Sequence, residues 1–192
     1  MKKVGILSLQ GDFAAHGAAL SCAGAEPVFV REREQLEKLD GLVIPGGEST
    51  TMLKLMRYEN LFDSLVEFGR SKPVFGTCAG AILMANRVTS PEQESFGLMD
   101  LAVQRNAYGR QLDSRVTEIE PDAEFERRMG GGKLEAVFIR APIIREVGEN
   151  VRVLARYNGD PVLVEEGHHL VATFHPELTG DLRVHRLFLE KL

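Results

Sequence analysis

The chain has 192 residues and a formal net charge of −5. Hydrophobic residues make up 44% and charged residues 27%, which is typical of a globular protein and excludes a disordered chain. Because nucleic-acid binders usually carry a basic surplus, the acidic balance argues against a nucleic-acid partner. One domain usually takes about 100–200 residues, so we expect a single domain over residues 1–192.

Cysteine content and hydropathy indicate where such a protein works. Cys22 and Cys78 are too few for a disulfide scaffold, which indicates a reducing compartment or thiol chemistry. The six largely apolar residues 4–9 are fewer than a secretory signal requires. No apolar run approaches the ~20 residues that span a bilayer. We therefore expect a cytoplasmic protein without a membrane partner.

The first half of the chain alternates short apolar runs with helical patterns. The predicted strands are residues 4–9, 27–30, 41–44 and 73–75. The predicted helices are residues 13–23, 33–39, 50–69 with a break near Asn60, and 79–86. Continuous apolar strands separated by helices indicate an α/β fold with a mostly parallel central sheet and helices on both faces.

The second half has short β-rich runs with few helical patterns between them. The predicted strands are residues 101–104, 115–119, 135–139, 151–155, 161–164 and 170–174, and a helix over 182–192 closes the chain. Residues 127–132 are predicted to form an exposed loop, and 97–106 a connection near the site. Because helices do not separate these strands, we expect an antiparallel extension of the sheet.

The segment Gly76-Thr-Cys-Ala-Gly80 joins a predicted strand to a predicted helix. At such a sharp turn a nucleophile projects above the sheet edge, and small neighbours relieve the crowding of the backbone. N–H groups at a helix N-terminus favour a thiolate at Cys78, and the N–H of Ala79 could stabilise an oxyanion. The alternative is a buried structural cysteine, and the pentapeptide alone does not decide between them.

The segment Phe174-His-Pro-Glu177 follows the last predicted strand and should reach the same sheet edge. A thiolate nucleophile needs a base that accepts and returns its proton, and the base needs a third group to orient it. His175 and Glu177 fit those two roles. A solvated turn would explain this segment taken alone, but its combination with Cys78 favours a catalytic set.

A third segment, Pro45-Gly-Gly-Glu-Ser-Thr-Thr51, has the same strand-to-helix setting. Gly46 and Gly47 let the backbone approach a ligand closely, their N–H groups could supply a second oxyanion donor, and Ser49 or Thr50 could cap the helix. The alternative is an ordinary glycine turn. A phosphate-binding loop does not fit, because no Gly-Lys-Ser/Thr follows.

Metal ligation is not expected from this sequence. His168 and His169 are adjacent, so on a strand they point to opposite faces, and no third ligand is evident. We predict neither a metal nor a cofactor.

Together these motifs resemble those of the class I, or triad, glutamine amidotransferases. More narrowly, the chain resembles the glutaminase subunits of pyridoxal 5′-phosphate synthases. The further segments that carry the narrower resemblance are Leu9-Gln-Gly-Asp12 with His16, Arg105-Asn106, Tyr108-Gly-Arg-Gln111, Asp113-Ser114, Phe138-Ile-Arg-Ala-Pro142, and Leu178-Thr179 followed by Asp181 and Arg183. The Gly-Arg-Gln and Ile-Arg-Ala-Pro segments single out this branch.

The resemblance implies a reaction on L-glutamine. Cys78 would attack the side-chain amide, ammonia would leave, and water would hydrolyse the thioester to glutamate. His175 would act as base and acid, and Glu177 would orient it. The residues that would line the glutamine pocket are Gly46, Gly47, Glu48, Arg105, Ile139 and Arg140, with oxyanion donors at Gly47 and Ala79.

The resemblance also implies a partner, the synthase (lyase) subunit that makes pyridoxal 5′-phosphate in vitamin B6 biosynthesis. Ammonia would pass to that subunit within a hetero-oligomer. Gln10 matches a position near the partner interface. We expect Arg105 to bind the substrate carboxylate, because a guanidinium offers a paired fork to a carboxylate, and Arg140 could serve the interface instead.

Three alternatives stay open at this point. The chain could serve another ammonia-using synthase, of the histidine or aminobenzoate pathway. It could be a catalytically silent glutaminase-like binding module, although Cys78, His175 and Glu177 are all present. It could also be a cysteine peptidase or amidase built on the same sheet.

Overall fold

The computed structural model describes residues 1–107 and 114–192. The described strands are β1 (Lys3–Leu7), β2 (Glu26–Val30), β3 (Gly41–Ile44), β4 (Val74–Thr77), β5 (Ala85–Thr89), β6 (Met99–Gln104), β7 (Ser114–Ile119), β8 (Leu134–Ile139), β9 (Ile143–Val147), β10 (Arg152–Tyr157), β11 (Asp160–Glu166) and β12 (His169–Ala172). The described helices are α1 (Phe13–Cys22), α2 (Ser49–Tyr58), α3 (Phe62–Ser71), α4 (Ala79–Met84), α5 (Ala123–Met129) and α6 (Arg183–Leu189). Short 3₁₀ turns cover Arg33–Lys38 and Pro176–Leu178.

The central sheet has seven strands in the order β10-β11-β12-β4-β3-β1-β2. The five strands from β12 to β2 are parallel, and β10 and β11 extend the sheet in antiparallel pairing. Two smaller sheets, β5-β6-β9 and β7-β8, lie outside it. The predicted α/β class, with a mostly parallel sheet and an antiparallel extension, is confirmed.

Both faces of the central sheet are covered. Successive residues of one strand enter opposite cores: Leu42 and Ile44 pack with α2, α3 and α4, whereas Val43 packs with α1, α5 and α6. This period-two alternation explains why the central strands read as continuous apolar runs rather than as alternating ones.

Several local elements differ from the sequence expectations. The helix predicted over 79–86 ends at Met84, and β5 continues from it with the exposed Asn86 and Arg87, whose polarity hid the strand. The strand β9 was missed because its charged residues, Arg145 and Glu146, break the apolar run. The strand predicted over 101–104 is confirmed as part of β6, so residues 97–106 are not a connection alone.

The loop predicted over 127–132 is wrong in its first half, because residues 127–129 belong to α5. The Asp122 carboxylate caps this helix by accepting from the Phe125 N–H at 2.8 Å, a signal that sequence reading overlooked. The helix ends at Gly130, whose φ of +91° favours glycine. By contrast, the break near Asn60 is confirmed, since Asn60 has φ +56° between α2 and α3.

The parallel strands bring the predicted motifs together. The segments after β1, β3, β4 and β12 all leave the carboxyl edge of the sheet, where sites of α/β folds usually lie. Motif residues 108–111 and 113 lie outside the described residues. No helix of the described chain combines the length and apolarity needed to cross a bilayer.

Candidate active site

Cys78 occupies the sharp turn between β4 and α4 that the sequence predicts. Its backbone has φ 48° and ψ −103°, a conformation that L residues rarely adopt, and its N–H donates to the Ala172 carbonyl at 2.9 Å. A Cβ added to Gly76 would lie 2.6 Å from the Gly80 carbonyl oxygen, and one added to Gly80 would overlap with the Ile44 carbonyl. The small neighbours of Cys78 are therefore required by the fold.

His175 and Glu177 meet Cys78 at this edge. The His175 N–H donates to the Val137 carbonyl at 2.8 Å, which fixes the segment to β8. The His175 Nδ1 atom lies 2.7 Å from Glu177 Oε1, so Nε2 is the ring nitrogen left for the Cys78 thiol, which hydrogen-bonds the ring. The structure thus brings the three predicted side chains into one connected set.

The electrostatics of this set favour a charged imidazole. Burial by itself lowers the pKa of His175, but hydrogen bonds and charge from Cys78 and Glu177 outweigh burial and raise the pKa well above 6.5. All three side chains are buried, since Cys78, His175 and Glu177 are 7%, 3% and 7% exposed. A charged imidazole between the thiol and the carboxylate is the state that this arrangement supports.

The loop between β3 and α2 forms the opposite wall. The Gly46 carbonyl accepts from the Asp12 N–H at 3.3 Å, which directs the Gly47 N–H away from that side of the peptide. Among the described residues, the Gly47 N–H has no hydrogen-bond acceptor. The N–H of Ala79, at the first position of α4, likewise lacks an intrahelical partner. Gly47 and Ala79 line the same cavity as Cys78.

Glu48, rather than Ser49 or Thr50, caps helix α2, which corrects the sequence expectation. Its carboxylate accepts from the N–H groups of Thr50 at 3.1 Å and Thr51 at 2.7 Å. Partial burial opposes ionisation, but the hydrogen bonds from Thr51 and Thr50 prevail and lower the pKa of Glu48 to about 2. The Glu48 N–H in turn donates to Gln10 Oε1 at 2.9 Å, so the Gln10 side chain holds this loop.

These elements enclose a cavity of about 280 Å³. It is near the lower end of the range for small-molecule sites. The lining residues are Gln10, Asp12, Gly47, Glu48, Ser49, Cys78, Ala79, Ile82, Arg105, Asn106, Ile139, Arg140, Pro142 and His175. Of the predicted pocket residues only Gly46 is not in the lining; it packs behind the thiol, where an added Cβ would overlap with the His175 ring.

The two arginines of the cavity differ in their surroundings. Arg105 is nearly buried, donates to Thr50 Oγ1 at 2.9 Å and lies 3.6 Å from Glu48 Oε1. Arg140 is exposed, has φ +44°, and its guanidinium has no ion pair within the described chain. Next to it, the Ile139 carbonyl oxygen lies 3.9 Å from the Cys78 sulfur. Of the two cavity arginines, Arg140 is thus the one without an ion pair to any described residue.

Three side chains at this edge have ligand atoms close enough to share a cation. Donor atoms of Asp12, His175 and Glu177 lie within 4.8 Å of one another. Because one Glu177 oxygen and the His175 Nδ1 are already bonded to each other, a metal there would have to break that hydrogen bond. The absence of a metal stays a prediction.

Sequence reasoning assigned no role to several residues that the structure places here. Asp12 lies 3.7 Å from His175 Nδ1, Ser49 and Asn106 line the cavity, and His16 lies 3.3 Å from Glu177 Oε2. Asp12 and His16 are four residues apart at the start of α1, a spacing that places both on one helix face. That spacing was the available signal.

Comparison with solved structures defines the class. A crystal structure described as a glutamine amidotransferase superposes with a TM-score of 0.88 and 46% sequence identity, covering 98% of this chain and 97% of that one. The fold is accordingly that of a glutamine amidotransferase. The chain belongs to the SNO glutamine amidotransferase family, whose model matches residues 6–192.

Named relatives narrow the comparison. "Pyridoxal 5′-phosphate synthase subunit PdxT" of Solibacter usitatus is 72% identical over 192 residues, which is 100% of both chains. The protein of the same name from Koribacter versatilis is 53% identical over 98% of this chain and 94% of its own length. Both matches run through the whole site described above.

Proposed function

We propose that this protein is the glutaminase subunit of a pyridoxal 5′-phosphate synthase and hydrolyses L-glutamine to L-glutamate and ammonia. The observation that carries the proposal is the connected set of Cys78, His175 and Glu177, of which Cys78 and His175 line the cavity. The similarity of the whole chain to two proteins named as pyridoxal 5′-phosphate synthase subunits favours a pyridoxal 5′-phosphate synthase over the synthases of the histidine and aminobenzoate pathways.

The chemistry follows from the charges and donors around the thiol. The Cys78 thiolate attacks the side-chain amide carbon, and the N–H groups of Gly47 and Ala79 stabilise the oxyanion. His175 gives a proton to the leaving nitrogen, so ammonia departs and a thioester remains. His175 then takes a proton from water, which hydrolyses the thioester to glutamate, while Glu177 holds the imidazole in position.

The cavity wall supplies contacts for the amino-acid end of glutamine. Arg140 offers an unpaired guanidinium to the α-carboxylate, and Arg105 lies on the same wall but is engaged with Thr50 and Glu48. The sequence favours Arg105 as the residue that binds the carboxylate, whereas this proposal gives that role to Arg140. The two assignments can be distinguished, because Arg140→Gln should raise KM for glutamine more than Arg105→Gln does. Gln10 contacts Glu48 at the rim, where we place the edge of the partner interface.

The partner is proposed to be the synthase subunit that consumes the ammonia. Free ammonia is protonated and lost in water, so the cavity should face a channel in that subunit. The test is glutamate release from glutamine by this protein alone and with the synthase subunit. We expect low activity alone and a large increase in the complex; equal rates with and without the partner would contradict the proposal.

A further inference from the structure

A chain of buried polar side chains continues behind Glu177, away from the thiol. Glu177 Oε1 bonds His175, and Oε2 faces His16 Nε2 at 3.3 Å. His16 Nε2 also lies 3.0 Å from Thr77 Oγ1, and His16 Nδ1 lies 3.0 Å from His185 Nε2. His16 and His185 are both fully buried. The reaction described above uses neither histidine.

Within this row of buried polar side chains, two atoms have no hydrogen-bond partner of good geometry: Glu177 Oε2 and His185 Nδ1. Two tautomer patterns are possible for the histidines. If His16 carried its proton on Nδ1, its bare Nε2 would face the carboxylate oxygen, and His185 Nδ1–H would be buried without an acceptor. Both features are unfavourable, because lone pairs would repel and a buried donor would be unsatisfied.

The opposite pattern removes both problems. His185 Nε2–H then donates to His16 Nδ1, and His16 Nε2–H points toward Thr77 Oγ1 and Glu177 Oε2. The atom left without a partner at the end of the chain is then a bare ring nitrogen rather than an N–H. Burial, followed by the charges of His185 and His175, keeps the pKa of His16 well below 6.5, so His16 is a neutral donor at neutral pH.

We propose that His16 is a positioning residue of the active site, whose Nε2–H faces Glu177 Oε2 and thereby keeps the Glu177 carboxylate aimed at His175. This inference rests on the proposed glutaminase function. It assigns to the buried face of α1 a role that its packing alone does not require.

The groups that act on this set come from several elements. His16 faces Thr77 on β4, His185 on α6, and Glu177 with His175 on the segment after β12. His175 additionally faces Cys78 and Asp12. Substituting His16 with an apolar residue of similar size removes its links to Glu177, Thr77 and His185 together, whereas a residue that keeps an N–H can retain the link to Glu177.

The test compares His16→Leu, which removes the donor, with His16→Gln, which keeps an N–H. The first readout is the pH dependence of Cys78 alkylation by iodoacetamide, in a Cys22→Ser background because Cys22 is exposed. In His16→Leu we expect the acid limb of this profile to move to higher pH by about one unit, because the Glu177 carboxylate loses the N–H that faces it and no longer holds His175 in place beside the thiol. In His16→Gln the limb should return toward that of the parent.

The second readout is kcat/KM for glutamine in the complex with the synthase subunit. His16→Leu should lower it roughly tenfold at pH values below the acid limb, the equivalent of a one-unit shift, and by less at higher pH, with recovery in His16→Gln. Leu20→Ala is the matched control, because Leu20 is fully buried one turn further along α1 and its apolar side chain can make no hydrogen bond. It should lower thermal stability without moving the acid limb.

The outcomes separate this inference from the proposed function. If the parent complex releases no glutamate, the proposed function is wrong. If the parent is active and His16→Leu keeps the parental alkylation profile and kcat/KM, the positioning role is wrong. Equal losses in His16→Leu and His16→Gln, with unshifted profiles, would also overturn it, because they indicate a loss of packing alone.

Discussion

Gly46, which has no side chain, allows the imidazole of His175 to lie close to the thiol of Cys78. A Cβ at this position would overlap with His175 Cε1, and it would lie 3.0 Å from His175 Nδ1 and 3.3 Å from Cys78 Cβ. Real Cβ atoms are not found so close to a buried ring, so any side chain here must displace the imidazole. Gly46 is therefore needed for the approach of the imidazole to the thiol.

We predict that Gly46→Ala lowers kcat at least tenfold while the protein stays folded, because the displaced His175 can no longer exchange a proton with Cys78. The measurement is glutamate release in the complex, with circular dichroism to check the fold. Gly180→Ala is the matched control, since a Cβ there meets no atom within 4 Å. Parental kcat in Gly46→Ala would contradict this account of the site.

At the scale of elements, Glu165 connects three parts of the chain. Its carboxylate on β11 lies 3.0 and 3.1 Å from Arg128 Nη1 on α5, and 2.6 Å from Lys191 Nζ beyond α6. Burial by itself raises the pKa of Glu165. Hydrogen bonds from Lys191 and Arg128 lower this pKa by more than burial raises it, so the carboxylate is charged. The antiparallel edge of the sheet is thereby tied to both helices that cover it.

We predict that Glu165→Ala lowers the free energy of unfolding by about 3 kcal/mol, because Lys191 loses its carboxylate partner in a largely buried place and Arg128 keeps one carboxylate, Glu190, instead of two. Urea denaturation measures this directly. Glu67→Ala is the matched control: Glu67 pairs with Arg70 at 3.0 Å, but both side chains are exposed, so little should change. Similar losses in the two variants would show that burial is irrelevant to this pair.

Elements were predictable where apolar patterning and motif coincide. Strands β1, β3 and β4 read as apolar runs that end in glycine-rich turns, and their shared edge follows from parallel pairing. The strands β5 and β9 were not predictable in this way, because they belong to a small peripheral sheet and carry exposed charges. Their pairing with β6 is decided by tertiary contacts, which local patterns do not report.

The residues of the site also differ in whether the sequence alone could predict their roles. Cys78, His175 and Glu177 could be chosen because their chemistry and their place after strands agree. His16 could not be given a role from its own segment, because its partners Thr77, Glu177 and His185 are 61 to 169 residues away in the chain. Likewise, the engagement of Arg105 with Thr50, which leaves Arg140 as the unpaired arginine, depends on side-chain geometry.

For the whole molecule, buried neutral histidines should make stability depend on pH. Burial lowers the pKa of His185 to about 4, whereas an unfolded chain has a histidine pKa near 6.5. Below pH 6.5 the unfolded state therefore binds a proton that the folded state excludes, so the free energy of unfolding falls with falling pH. The raised pKa of His175 adds no slope there, because that histidine is protonated in both states below pH 6.5.

We predict that replacing His185 with leucine flattens this dependence by about 1.4 kcal/mol per pH unit between pH 6.5 and 5, whatever its effect on stability at neutral pH. Urea denaturation at several pH values gives the slope. Leu187→Ala, at another fully buried position of α6, should lower stability without changing the slope. An unchanged slope in His185→Leu would mean that this histidine is not held neutral.

The most direct measurement is covalent labelling of the complex with a glutamine analogue that carries an electrophilic diazoketone in place of the amide. If Cys78 is the nucleophile of a glutamine site, mass spectrometry should find the adduct on Cys78 and not on the exposed Cys22, and excess glutamine should prevent it. Glutamine turnover that continues while Cys78 stays unlabelled, or labelling that glutamine does not slow, would contradict the account.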